Sequence, residues 1–458
     1  MKKEVLIRRS HISAPVETVF KWHTRSGAIE RLTPPWESVR VIRRDGGIRK
    51  GAAVVMKIKA GSFPCHWIAE HTDYEKNRLF RDRQVRGPFA RWVHTHRFEP
   101  DGNSACFLED HIEYALPFGL LGNFIAGSRV RNQLERMFNY RHAITKRDIA
   151  AHLPEKGKAP LNILISGASG IVGSALVPFL TTGGHRVIRL VRRCPEKKEV
   201  FWNPLSGYLD PNDLNGIDTV IHLAGENIGQ GRWTKAKKKR ILESRIKGTS
   251  LIARAAAKLR PMPRVMVCAS AIGYYGNRGE WILTEKDGPG NDFISQVCYE
   301  WEKAAAPAIE KGIRVVFLRI GIALTPAGGA LAKLLLPFQA GVGGKLGNGR
   351  QYMSWVSMDD VISVIHRMIT DDSMEGPVNV VAPNPVTNIE LTKILGRVLS
   401  RPTSLSVPAP LIRLAFGEMG REVPLSSTRV IPEKLLKAGY KFYDPDPEGA
   451  ILHLLGKK

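Results

Sequence analysis

The stretch NILISGASGIVGSALVPFL, residues 162–180, decides the fold of the larger part of this chain. Its first five residues read as a buried strand, which runs into three glycines, Gly167, Gly170 and Gly173, and then into an amphipathic helix. The first glycine permits a tight turn, the second lets the backbone approach a pyrophosphate, and the third allows the helix to pack closely on the strand. Unpaired N–H groups and the dipole at the helix start favour an anion there. A lone glycine pattern would be weak evidence. Here Gly183-Gly184 stops the helix and residues 185–191 supply a second strand, completing a βαβ unit. The expected contacts to a dinucleotide are Gly167, Ser169, Gly170, Ile171, Val172 and Gly173.

The end of that second strand decides between cofactors. NAD-binding chains place an acid there for the ribose 2′-hydroxyl, whereas this one has Arg192 and Arg193, whose guanidinium groups suit a 2′-phosphate. NADP is therefore expected ahead of NAD, with solvated surface charge as the alternative role for the two arginines. Residues 218–222 form another strand leading to Leu223, Ala224, Gly225 and Glu226, which would pass beside the cofactor, with Arg245 on the helix that follows. Glu226 is expected to bond a ribose hydroxyl or Arg232. Further strands at 264–270 and 313–320 continue the alternation with helices, which predicts a doubly wound parallel sheet with ligands at the carboxyl ends of its strands.

With 458 residues, 43% of them hydrophobic, the chain can bury more than one core. Lys and Arg number 68 against 43 acidic residues, a formal charge of +25 that favours anionic partners without naming one. The basic run at 235–240 opens a helix and lacks interleaved aromatics, so it reads as a solvated face, and no nucleic-acid partner is expected. The five cysteines, an odd number with no C-x-x-C spacing, argue against a disulfide framework and a zinc cluster. No export signal or membrane span is expected, and the chain reads as cytoplasmic.

Ahead of a polar connection at 145–159, apolar and polar residues alternate at 4–11, 53–58, 65–71, 92–98 and 106–114, the period of half-buried antiparallel strands. One helix should follow Ser13-Ala14-Pro15, with Ser13 as its cap, and another should span about 127–149. His94 and His96, two apart, share a strand face. No acidic or thiol ligand has comparable spacing, so no metal is expected. The segment ISAPVETVF at 12–20, the strand 67–74, Gly87-Pro88-Phe89 and the late helix resemble the helix-grip fold of the START-like ligand-binding and cyclase superfamily. That resemblance implies an α+β domain with an antiparallel sheet around an apolar pocket and an apolar ligand, with Phe89, Trp92, Phe98, Tyr114 and Phe118 as candidates for its wall and plain core aromatics as the alternative for each.

From Asn162 almost to the C-terminus the chain resembles the extended short-chain dehydrogenase/reductase superfamily, in its sugar-epimerase-like atypical branch. The matching segments are the glycine loop, 223–228, Arg232-Trp233-Thr234, Ser270 with Gly273-Tyr274-Tyr275-Gly276, Trp301-Glu302, Leu318-Arg319 with Gly321, 341–351 through Asp359-Asp360, 379–388 and 407–442. The resemblance implies a Rossmann domain and an NADP(H)-dependent oxidoreductase or epimerase acting on a carbonyl or alcohol of a small-molecule substrate. A non-catalytic protein that senses NADP(H) and carries a hydrophobic ligand is the alternative. The superfamily's Tyr-x-x-x-Lys pair is missing in register, since its expected positions fall near Phe293 or Ile294 and Val297 or Cys298. The literal match Tyr299 to Lys303 is turned to the opposite helix face. Catalysis then falls to Ser270 and Tyr275, with Tyr274 and Arg232 toward the substrate. The expected organisation is a helix-grip domain at 1–152, a linker at 153–161, a Rossmann domain at 162–403 and a small C-terminal domain at 404–458.

Overall fold

A computed structural model describes residues 3–60 and 63–457. The described residues fall into two compact units, one drawn from 3–158 with 181–184 and 455–457, the other from 159–180 with 185–454.

In the first unit, β1 (Glu4–Ile12) is followed by α1 (Val16–Thr24), α2 (Ala28–Leu32), six strands and one long helix. The strands are β2 (Arg40–Asp45), β3 (Ala53–Ala60), β4 (Phe63–Glu75), β5 (Leu79–Arg86), β6 (Arg91–Asp101) and β7 (Ala105–Ala115), and the helix is α3 (Gly119–His152). They form one antiparallel sheet in the order β1-β7-β6-β5-β4-β3-β2. Alternation located five of these strands. The other two, RVIRRD and LFRDRQVR, carry charges at positions that a hydrophobic pattern would require to be apolar. The first helix lacks the expected Ser13 cap, because Pro15 occupies the cap position and no side chain bonds there.

The long helix buries Leu134, Phe138, His142, Thr145 and Ile149, a stripe at helical spacing, while Arg31 donates two hydrogen bonds to Asp148 at 2.8 and 2.6 Å. It begins two turns earlier than its periodicity suggests, and those turns leave Phe118, Leu120, Phe124 and Ile125 exposed. Phe118, at 88% exposure, is therefore no pocket wall. Of the other expected wall residues, Phe98 packs with Phe20 and Phe80, and Phe89, Trp92 and Tyr114 pack with Phe138. Between these two aromatic groups on β6 stand His94 and His96, so the middle of the interior is polar rather than apolar.

The second unit is built on a seven-stranded sheet: β8 (Asn162–Ser166), β9 (Arg186–Val191), β10 (Glu199–Phe201), β11 (Thr219–His222), β12 (Val265–Ala271), β13 (Arg314–Ile320) and β14 (Gly376–Val380). Its order is β10-β9-β8-β11-β12-β13-β14, and every pair is parallel. The chain winds outward from β8 in one direction and then returns to β8 to wind outward in the other, which creates a switch point between β8 and β11. Three helices matter for the site: α4 (Ile171–Gly183), α5 (Lys235–Lys258) and α6 (Phe293–Lys303). Near-continuous apolar strands such as VMVCAS, buried on both faces, are what a parallel sheet covered by helices requires. The segment 404–454 packs within this unit: Asp360 accepts hydrogen bonds from the backbone N–H groups of Tyr443 and Asp444 at 2.9 and 3.1 Å. Among the described residues, no helix is long and apolar enough to cross a membrane, and all five cysteines are free thiols.

Candidate functional site

The glycine loop lies between β8 and α4, at the switch point. Gly167 has φ +73°, and a Cβ there would stand 2.7 Å from the backbone of Leu223 and Ala224, so the loop after β8 is pressed against the loop after β11. A Cβ on Gly173 would lie 2.2 Å from the Gly167 carbonyl oxygen, which leaves no room for any side chain. The first intrahelical bond of α4 runs from Ser174 N–H to Gly170 O at 2.8 Å. The N–H groups of Ile171, Val172 and Gly173 ahead of it have no backbone acceptor among the described residues, and Ser169 and Gly170 are exposed. The cradle thus fits a pyrophosphate by the space only glycine leaves and by the donors it presents.

The two arginines after β9 are both exposed but differ. Arg193 donates to Glu199 and to the Cys194 carbonyl, each at 2.9 Å, whereas Arg192 makes no hydrogen bond or ion pair among the described residues. Glu226 accepts from Lys237 at 2.6 Å, and that hydrogen bond holds its carboxyl below the usual range. This corrects the expected pairing with Arg232. Arg232 instead donates to the carbonyls of Leu414 and Ala415, the latter at 3.0 Å, at the end of a helix over Ala409–Phe416, where unpaired carbonyls attract a cation. Arg245 is likewise used inside the protein: it donates to the carbonyls of Glu226 and Ile241 at 3.1 and 3.0 Å and covers the Trp301 ring. It supports the loop after β11 from below.

Beside the switch point, the ends of β12, β13 and β14 hold a buried network. Ser270 Oγ donates to Glu302 Oε1 at 2.7 Å, and Arg319 grips the same carboxylate through Nε and Nη2, both at 2.9 Å. Arg319 Nη1 also donates to the Tyr275 hydroxyl at 3.0 Å, which in turn donates to Asn379 Oδ1 at 2.7 Å. The Arg319 guanidinium lies 3.5 Å over the Tyr274 ring. Helix α6 brings Glu302 into this network and also pins the loop after β12, since Asp292 caps its first turn and Ser295 Oγ donates to the Gly273 carbonyl. The structure therefore places Ser270, Tyr274 and Tyr275 together, but it commits Ser270 to a carboxylate and buries Tyr275 completely, and burial pushes the Tyr275 hydroxyl up to about 12. Glu302 and Arg319, quoted earlier only as points of resemblance, are its central charges. Ile294, Val297 and Cys298 are buried, and Tyr299 and Lys303 are exposed on the other side of α6.

A doubly wound parallel sheet with a glycine cradle at its switch point and a serine-bearing strand end beside it defines a dinucleotide-binding domain of the short-chain dehydrogenase/reductase class. Family models agree: NAD dependent epimerase/dehydratase family over residues 163–382, a domain of unknown function (DUF1731) over 407–454, and polyketide cyclase / dehydrase and lipid transport over 12–138. An epimerase family protein of Mycobacterium bovis is 43% identical over 282 residues, 61% of this chain and 93% of the relative. A nucleoside-diphosphate sugar epimerase of Corynebacterium glutamicum, solved by crystallography, is 33% identical with a TM-score of 0.83, covering 99% of this chain and 90% of its own. The human epimerase family protein SDR39U1, solved with NADPH, is 30% identical with a TM-score of 0.60, covering 65% of this chain and all of its own. The chain belongs to the epimerase family proteins, with a polyketide cyclase-like module at its N-terminus.

Proposed function

We propose that the chain binds NADP(H) and acts as an oxidoreductase or epimerase-like enzyme on a carbonyl or alcohol of a small molecule. The observation that carries the reading is the glycine cradle at the β8/β11 switch point with Arg192 exposed at the end of β9 and unpaired among the described residues. The NADPH in the human relative's structure supports it. The backbone N–H groups at Ile171, Val172 and Gly173 receive the pyrophosphate, Arg192 the 2′-phosphate, and Leu223 to Glu226 line the adjoining side. When bound, the cofactor supplies or accepts hydride. The network of Ser270, Glu302, Arg319 and Tyr275 fixes the floor beside it, and Tyr274 faces the substrate. The polyketide cyclase-like module carries a separate ligand, for which the family name suggests a lipid or other apolar molecule. Our division of the chain is 1–152, linker 153–161, 162–403 and 404–458.

Titration with NADPH and NADH, followed by nicotinamide fluorescence, tests the cofactor. Arg192→Ala is expected to weaken NADPH binding by about 10- to 100-fold, the worth of a charge-assisted hydrogen bond at ~1.5–3 kcal/mol, with NADH little changed. Arg193→Ala should cost less, because Glu199 already holds that side chain. Equal loss of both nucleotides would reject a 2′-phosphate contact.

One observation favours the second reading, a sensor without turnover: Ser270 and Tyr275, the candidate proton donors, are both engaged inside the protein. Intact NADPH binding without oxidation by any member of a panel of aldehydes and ketones would select it.

A further inference from the structure

The polar middle of the N-terminal domain is a donor set gathered from four elements. Strand register places Asp82 of β5 opposite His94 of β6, and His96 opposite Asp110 of β7. The ligand-capable atoms of Asp82, His94 and His96 all lie within 4.8 Å of one another. Asp110 Oδ1 is 3.2 Å from His94 Nε2, and its other oxygen is 2.9 Å from Nε2 of His142 on α3. If His94 Nε2 carries the proton and donates it to Asp110, Nδ1 turns its lone pair toward Asp82 Oδ2, 3.6 Å away. A carboxylate behind a histidine, fixing which ring nitrogen faces inward, is the usual support of a metal-binding imidazole.

Two features set the charged groups of this interior apart. The Asp82 carboxylate, with its side chain 15% exposed, receives no hydrogen bond among the described residues. His96 Nδ1, in a side chain 8% exposed, lies 2.5 Å from Asp110 Oδ1, an ion pair when the ring is protonated. The nearby half-buried cation Arg141 gives its Nε to the Leu32 carbonyl. Two carboxylates and two imidazoles are thus crowded together in a largely buried interior.

We propose that Asp82, His94 and His96 bind a divalent transition-metal ion inside the N-terminal domain, with Asp110 and His142 orienting the histidines. Imidazole and carboxylate donors suit zinc, iron or cobalt rather than calcium or magnesium. Three protein ligands leave at least one position for water or for an oxygen atom of a ligand in this interior. A second group, the two carboxylates Asp359 and Asp444 with the single imidazole of His453, is better explained by packing: Asp359 sits in the first turn of a helix and accepts from His453 at 3.0 Å.

The test uses the full chain without an affinity tag, stripped with a chelator and titrated with Co2+ and then Zn2+. One Co2+ per chain is expected, with the intense visible bands of four- or five-coordinate cobalt and no thiolate charge transfer, displaced by one equivalent of zinc. His96→Gln and Asp82→Asn should abolish stoichiometric binding, and Asp110→Asn should weaken it by about 10- to 100-fold, the usual cost of losing an outer-shell partner. His453→Gln should bind as the parent does. Absence of stoichiometric binding, binding unaltered by His96→Gln, or loss in His453→Gln would each overturn the proposal. Should the site variants fail to fold by circular dichroism, the parent's cobalt spectrum and the His453→Gln titration still decide it.

Discussion

Ser270, Glu302 and Arg319 separate two kinds of residue at the strand ends. Ser270→Ala removes one donor from a carboxylate that Arg319 still grips twice, so a loss of about 1 kcal/mol is expected. Glu302→Ala strands a guanidinium whose side chain is 4% exposed and should cost about 3–5 kcal/mol, the toll of breaking a buried pair from one side. Chemical denaturation of the two variants checks this difference, and equal losses would mean that the network is not organised around Glu302. At this scale the sequence was only partly legible. The place of Arg192 and Arg193, exposed just past β9, was readable because it is set by the strand they follow. The partners of Ser270 were not, because Glu302 lies 32 residues away and reaches it only through the packing of α6. Arg232 was misjudged for the same reason: its acceptors lie about 180 residues on, at a helix end that local sequence does not place beside it.

Among elements, the strand-loop-helix of β8 and α4 is the most demanding. Gly173→Ala would put a methyl group 2.2 Å from the Gly167 carbonyl oxygen, and it is expected to destabilise the domain by about 1–3 kcal/mol or more and to abolish nucleotide binding. Gly170→Ala, at 3.2 Å from the same oxygen and open to solvent, should hurt binding more than stability. Thermal melts beside NADPH titrations distinguish the two, and a Gly173→Ala protein that binds normally would contradict the assigned cradle. Glycine spacing and helix capping are local, which is why this unit could be read in advance. The two missed strands show the limit, for β2 and β5 are charged on both faces. Missing β5 also hid the carboxylate beside His94, since sequence spacing does not report what cross-strand register brings together; the turn at Gly87-Pro88 was the signal from which that register could have been counted.

Across the whole molecule, the doubly wound sheet and the helix-grip sheet were both legible, because strand-helix alternation and period-two alternation persist over long stretches. Their buried histidines were not. Burial, and then Arg245, push His222 down to about 3, and burial with His185 does the same for His366. The unfolded chain takes up these protons near the ordinary value of 6.5, while the folded chain resists them until about pH 3, so stability falls as pH drops through that window. Each group contributes a slope of about 1.4 kcal/mol per pH unit. His222→Gln should flatten the decline measured by denaturant midpoints between those limits; an unchanged slope would mean that His222 is protonated in the fold. A different vulnerability follows from α3. At 34 residues it runs for about 51 Å, yet among its described side chains the hydrophobic packing begins only with the partly buried Ala126 and Val130 and full burial only at Leu134. Its first turns have little to lose by opening, and they display Phe118 and Phe124 to solvent. Chymotrypsin offered the native protein should therefore nick the backbone in this segment before any other, releasing a C-terminal fragment that still carries the nucleotide site.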